Sequence, residues 1–202
     1  MEKINSSKMI ELLTKVMSDP LPSKKIKAGY IFSQAEANYE STLEAGVELI
    51  KGGRVEQIFT IDASIILPTL KGIRKILNNY SEFVNILHLL GKTVNTLVEA
   101  ELLIKKAQTA KWSEVVIVAA PFHQLRAFIT TVSIASKKMP NLKIYNYVGQ
   151  PLTWDQTVYH SQGTLKGTRT SFIYSELERI EKYTAKGNLL PIEDILDYLN
   201  KR

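Results

Sequence analysis

The sequence predicts an α/β domain, three layers deep, built around a mostly parallel five-stranded sheet. Short apolar runs rich in Val, Ile, Phe and Tyr recur along the chain, each followed by a polar turn and then by apolar residues at helical spacing. Such alternation builds parallel sheets with right-handed crossovers that cover both faces. The run Val115-Val116-Ile117-Val118-Ala119-Ala120 is apolar throughout, as expected of a strand buried on both faces.

Residues 4–18 set Ile4, Ile10, Leu13, Val16 and Met17 among polar side chains, with Ser6 or Ser7 as a cap. They read as an amphipathic helix, closed by Pro20 and Pro22, within an N-terminal extension over 1–22. Residues 26–32 form the first strand, 33–38 a loop, and 39–51 a helix ended by Gly52-Gly53, glycine being the residue that leaves a helix most easily. The second strand, 57–61, leads to Asp62 and a helix with Pro68 near its start; the third, 85–90, leads to a long helix over 95–111. The fourth strand, 115–120, is followed by a helix over 124–138, and the fifth spans 142–148. Residues 150–202 form a C-terminal loop and helices, a polar stretch to 167, a helix over 168–186 and a short one after Pro191. One domain over 1–202 suits this length, which supports one sizeable core and is short for two.

Composition narrows the function classes. With no cysteine, disulfides, thiol nucleophiles and thiolate metal sites are excluded. The three histidines, His88, His123 and His160, are far apart in sequence and lack metal-ligand spacing. A net charge of +6 raises nucleic acid as a partner, but the basic residues are dispersed and the one cluster, Lys24-Lys25-Lys27, lacks interleaved aromatics, so nucleic acid is disfavoured. No apolar run approaches the roughly 20 residues of a membrane span, and the start lacks a basic-then-apolar leader; a soluble, cytoplasmic protein without membrane association is expected.

The chemistry concentrates where strands run into helices. Pro121 ends the fourth strand, and His123 and Arg126 follow one turn apart at a helix entry, where free N–H groups and the dipole favour an anion. Arg126 reads as an anion clamp or as half of an ion pair, His123 as a tentative acid/base group or as a helix cap. Asn95 is a helix cap or a ligand-binding amide, with Thr96 beside it and Glu99 one turn on. Ser33 and Gln34 occupy the loop where a nucleotide would lie, yet that loop has no glycine, and neither the dinucleotide fingerprint nor the ATP-type phosphate loop is present. Asp62 is placed to contact a ribose or an amine, or to cap a helix. Residues 164–169 close over an anion or form an exposed capped loop, Trp154 reads as a hydrophobic anchor, and His88 as a core or edge histidine.

The pairing of Asn95-Thr96-x-x-Glu99-Ala100 with Ala119-Ala120-Pro121-Phe122-His123-x-x-Arg126-Ala127 resembles the YdcF-like family of bacterial domains, over most of residues 26–148; Glu176-Leu177-Glu178-Arg179 with Tyr183 and Gly187 is similar to its tail. The chain departs from the family pattern at Ser33-Gln34-Ala35, at Asp62-Ala63 and before Asn95. The resemblance implies a Rossmann-like fold with a pocket for a small ligand, such as a nucleotide or S-adenosylmethionine, and no established reaction. Three functions then stand side by side: a binding domain for such an anion, an enzyme acting on a phosphorylated or nucleotide-like substrate with His123 as acid/base, and a noncatalytic interaction protein. The binding residues under the first two are Ser33, Gln34, Asp62, Asn95, Thr96, Glu99, Pro121, His123 and Arg126.

Overall fold

Five parallel strands lie in the order β3-β2-β1-β4-β5, formed by Ile26–Ile31 (β1), Val55–Ile61 (β2), Val84–Leu87 (β3), Glu114–Val118 (β4) and Lys143–Asn146 (β5). They are seen in a computed structural model that describes residues 6–61, 80–88, 94–160 and 165–202. Helices α1 (Ser6–Met17), α2 (Glu36–Lys51), α3 (Thr96–Thr109), α4 (Gln124–Lys138), α5 (Arg169–Ala185) and α6 (Ile192–Lys201) surround the sheet. The chain is thus the three-layer Rossmann-like sandwich that its strand–helix alternation predicts.

Side chains alternate across each strand, so the two faces form separate cores. Tyr30, Phe32, Phe59, Val115 and Ile117 face a large cluster with α1, α3, α4 and α6; Ile31, Ile58, Val116 and Val118 face α2. The α2 layer sits close because Gly46 leaves room for Ile31: a Cβ at Gly46 would lie 2.6 Å from Ile31 Cδ1.

Several boundaries differ from the sequence reading. The helix expected from residue 39 begins at Glu36, because its polar first turn is held by a partner far along the chain, Arg169 on α5. The second strand starts at Val55, two residues early. The described third strand ends at Leu87, and His88 is exposed after it instead of lying inside a strand. The stretch taken as a polar loop contains an antiparallel hairpin, β6 (Thr157–Tyr159) against β7 (Lys166–Thr168). Its Val158 joins Ala120, Phe122 and Phe172 in a small core on the β4–α4 turn. The helix expected after the second strand, with Asp62 and Pro68, lies outside the described residues. Among the described residues no helix is long and apolar enough to cross a membrane.

Candidate functional site

The order β2-β1-β4 places the reversal of strand order between β1 and β4, whose pairing matches Gly29 with Val116 and Ile31 with Val118. Parallel strands point their carboxyl ends to one edge, and the place where the strand order reverses there is the usual place for a ligand in such sheets. Phe32 N–H still pairs with Val118 O at 2.9 Å, and the chains separate directly after.

Gln124 shapes the β4 side. Its side-chain oxygen accepts Ala119 N–H (2.7 Å) and its amide nitrogen donates to Asn146 Oδ1 on β5 (2.8 Å), locking the turn that Pro121 opens. His123 N–H and Gln124 N–H both donate to Ala120 O. The imidazole of His123 is thereby directed inward and buried. Gln34, from the β1 loop, lies 2.8 Å from its Nδ1, and the Thr96 hydroxyl, from the first turn of α3, lies 3.0 Å from its Nε2. Asn95 caps that helix by accepting Val98 N–H at 3.0 Å.

Glu99 holds the β1 loop from beneath. Its carboxylate accepts Ser33 N–H at 2.8 Å, the Ser33 hydroxyl at 2.6 Å and the Tyr30 hydroxyl at 3.4 Å. Burial pushes its pKa up to about 7, although the Ser33 hydrogen bonds and the nearby Arg126 charge pull the other way. His123 moves oppositely, down to about 3, because burial and then the Arg126 charge disfavour the imidazolium. The site therefore holds a neutral imidazole and a carboxyl that titrates near neutrality.

Arg126 ties this group to the C-terminal segment. Nη1 donates to Thr96 Oγ1 at 2.7 Å, while Nε and Nη2 embrace the Glu176 carboxylate of α5. Glu176 also receives Arg179 at 2.9 Å and lies 2.7 Å from His160 at the end of β6. Burial alone would raise the Glu176 pKa, but the Arg126 charge and the His160 hydrogen bond hold it well below the usual carboxylate range.

The structure thus brings Ser33, Gln34, Asn95, Thr96, Glu99, Pro121, His123 and Arg126 to one edge of the sheet, and Asp62 lies outside the described residues. The anion clamp expected of Arg126 already has a carboxylate in its fork. Sequence reasoning missed that partner, together with His160 and Arg179; the one clue was a lone cation in the mostly apolar stretch 125–135, which, once buried, needs an acid. The Trp154 ring is half exposed instead of anchoring its loop, and its carbonyl oxygen accepts Thr170 N–H. In the 164–169 segment, Thr168 caps α5 through Ser171 N–H, and Arg169 is buried, donating to Asn38 Oδ1, Ala37 O, Thr153 O and Gln156 Oε1. A surface cavity of about 200 Å³ bounded by Leu97, Lys137 and Asn188 contains none of the site residues. Among the described residues no group of three or more His, Asp or Glu side chains is placed to hold a metal.

Comparison of the chain with family models, with characterised proteins and with solved structures returns no match.

Proposed function

We propose that the chain is a cytoplasmic, YdcF-like protein that binds a small nucleotide-like ligand or another anion, a nucleotide, a sugar phosphate or the carboxylate of S-adenosylmethionine, where β1 and β4 leave the sheet. One observation carries this reading: Gln34, His123, Thr96 and Arg126, from the β1 loop, the β4 turn, α3 and α4, form one hydrogen-bonded chain where the strand order reverses. The entries of α3 and α4 meet there and add the positive dipole ends that favour anions. The reading is tested by thermal melts against nucleotides, sugar phosphates and adenosylmethionine. A ligand at about 100 times its Kd stabilises the fold by about 2.7 kcal/mol, a shift easily seen; no shift from any member of the panel refutes the proposal.

A second reading, an enzyme of the same ligand class, is favoured by Glu99 alone. An acid/base group works best with a pKa near the working pH. Glu99 at about 7 meets that condition and His123 at about 3 does not. In this reading proton transfer belongs to Glu99, and His123 is a positioning residue. Turnover surviving in Glu99→Gln refutes it.

A further inference from the structure

We propose that Gln34 is the group that recognises the ligand: its amide N–H bonds, turned away from His123, are the donors to an oxyanion, held there by His123 fixed as the Nδ1–H tautomer. The proposal rests on the small-anion reading above and adds a direction to it.

Gln34 is fully buried, yet one end of its amide lies 2.8 Å from His123 Nδ1 while the other has no partner among the described residues. Buried polar groups are nearly always paired, so an orphan where the strand order reverses points to a group that the described residues do not supply. The two amide ends interchange by half a turn of the side chain, and their placement follows from the hydrogens of the neighbours.

His123 is neutral, so one ring nitrogen carries a hydrogen and the other accepts. Arg126 has only donors; Thr96 Oγ1, 2.7 Å from Nη1, therefore accepts from it. With Thr96 donating its own hydrogen to His123 Nε2, Nδ1 carries the ring hydrogen and gives it to the amide oxygen of Gln34. Every hydrogen between Arg126 and Gln34 is then used, and the amide nitrogen is the orphan. The opposite tautomer sends Nε2–H to Thr96 and strands two groups, the Thr96 hydroxyl hydrogen and the Gln34 oxygen. The first arrangement leaves one, and it polarises the chain in a single direction, from the guanidinium towards the Gln34 N–H bonds. Donors polarised in this way suit a phosphate or carboxylate oxygen.

Nitrogen-15 NMR of the histidine rings, with His123→Asn for assignment, gives the tautomer without any ligand; Nδ1–H is expected, and Nε2–H overturns the proposal whatever the protein binds. Calorimetry with inorganic pyrophosphate and adenosine monophosphate then compares wild type with Gln34→Glu, which keeps an acceptor for Nδ1–H but turns an anion towards the ligand. A loss of at least tenfold is expected for the tighter probe. Gln34→Met, which removes both polar ends, serves if Gln34→Glu does not fold, and the same loss is expected. Unchanged affinity in a folded variant overturns the proposal. Wild type that shows Nδ1–H but binds neither probe nor any member of the ligand panel above instead refutes the anion reading, and with it the ligand assigned to Gln34.

Discussion

Glu176→Gln provides the sharpest test of what holds the site together. The carboxylate is buried and is the acceptor shared by Arg126 and Arg179, with His160 in contact. Replacing one oxygen by an amino group removes the counter-charge and sets donor against donor. Breaking a buried pair by removing one partner costs about 3–5 kcal/mol, because the remaining charge is left uncompensated. With a urea slope of about 2 kcal/mol/M for a chain of this size, the unfolding midpoint falls by about 2 M. Arg126→Met is the smaller perturbation, since Glu176 keeps Arg179 and His160 as partners. Joining Arg126→Met to Glu176→Gln should recover part of the loss, giving a coupling of about 1–3 kcal/mol. Urea unfolding followed by fluorescence of Trp112, packed on Phe59 in the core, reads all three variants. The pH dependence has a definite sign. A carboxyl held below its unfolded value of about 4.3 contributes stability that is full above that pH and is lost as the pH falls through the folded pKa. Wild type should therefore lose stability on acidification below about pH 4.5 more steeply than Glu176→Gln does. A cost under about 1 kcal/mol for Glu176→Gln, the value of an exposed ion pair, would refute the picture of a desolvated network.

Two further predictions concern the two sides of the site. Glu99, raised to about 7, carries the opposite sign: its contribution is full below the unfolded value of about 4.3 and is lost as the pH rises through 7, on the order of 3 kcal/mol in all. The stability of Glu99→Gln relative to wild type should thus rise between pH 5 and pH 8; parallel curves for the two proteins would place the Glu99 carboxyl in its ordinary range. Arg169→Ala strands four acceptors that join the hairpin to α2, namely Asn38 Oδ1, Ala37 O, Thr153 O and Gln156 Oε1. Asn38 is the buried one among them, and a buried acceptor left unmade costs about 1–3 kcal/mol, so amide exchange at Trp154 to Tyr159 should accelerate well before that of β4; equal protection in the variant and wild type would rule out this attachment.

Much of the fold was legible because it rests on local pattern. The apolar run 115–120 predicts a doubly buried strand, and β4 is buried at every position. The helix expected over 124–138 matches α4 to the residue. The errors fall where a distant partner decides. The first turn of α2 is polar and gave no periodic cue, and what holds it is Arg169, more than 130 residues away. The hairpin β6–β7 has three-residue strands, too short to show alternation, and it is held by a small core that includes Phe122 and Phe172.

The site divides in the same way. Polar residues placed just after a strand or at a helix entry were legible as site candidates, because strand polarity sends all such positions to one edge of the sheet. What those residues bond to was not legible. Arg126 meets Glu176 across 50 positions of sequence, and His160 reaches the same carboxylate from a different element. No spacing rule connects them; the constraint is energetic, since a guanidinium on a buried helix face must find an acid somewhere. That requirement extends the site to the C-terminal segment. Thr96 and Glu176 share one guanidinium, so a displacement of α5 that withdraws Glu176 must also alter the group that orders Thr96, His123 and Gln34. The hairpin and α5 are therefore part of the site's electrostatics, and a chain ending near residue 150 would keep all five strands while leaving Arg126 without its acid.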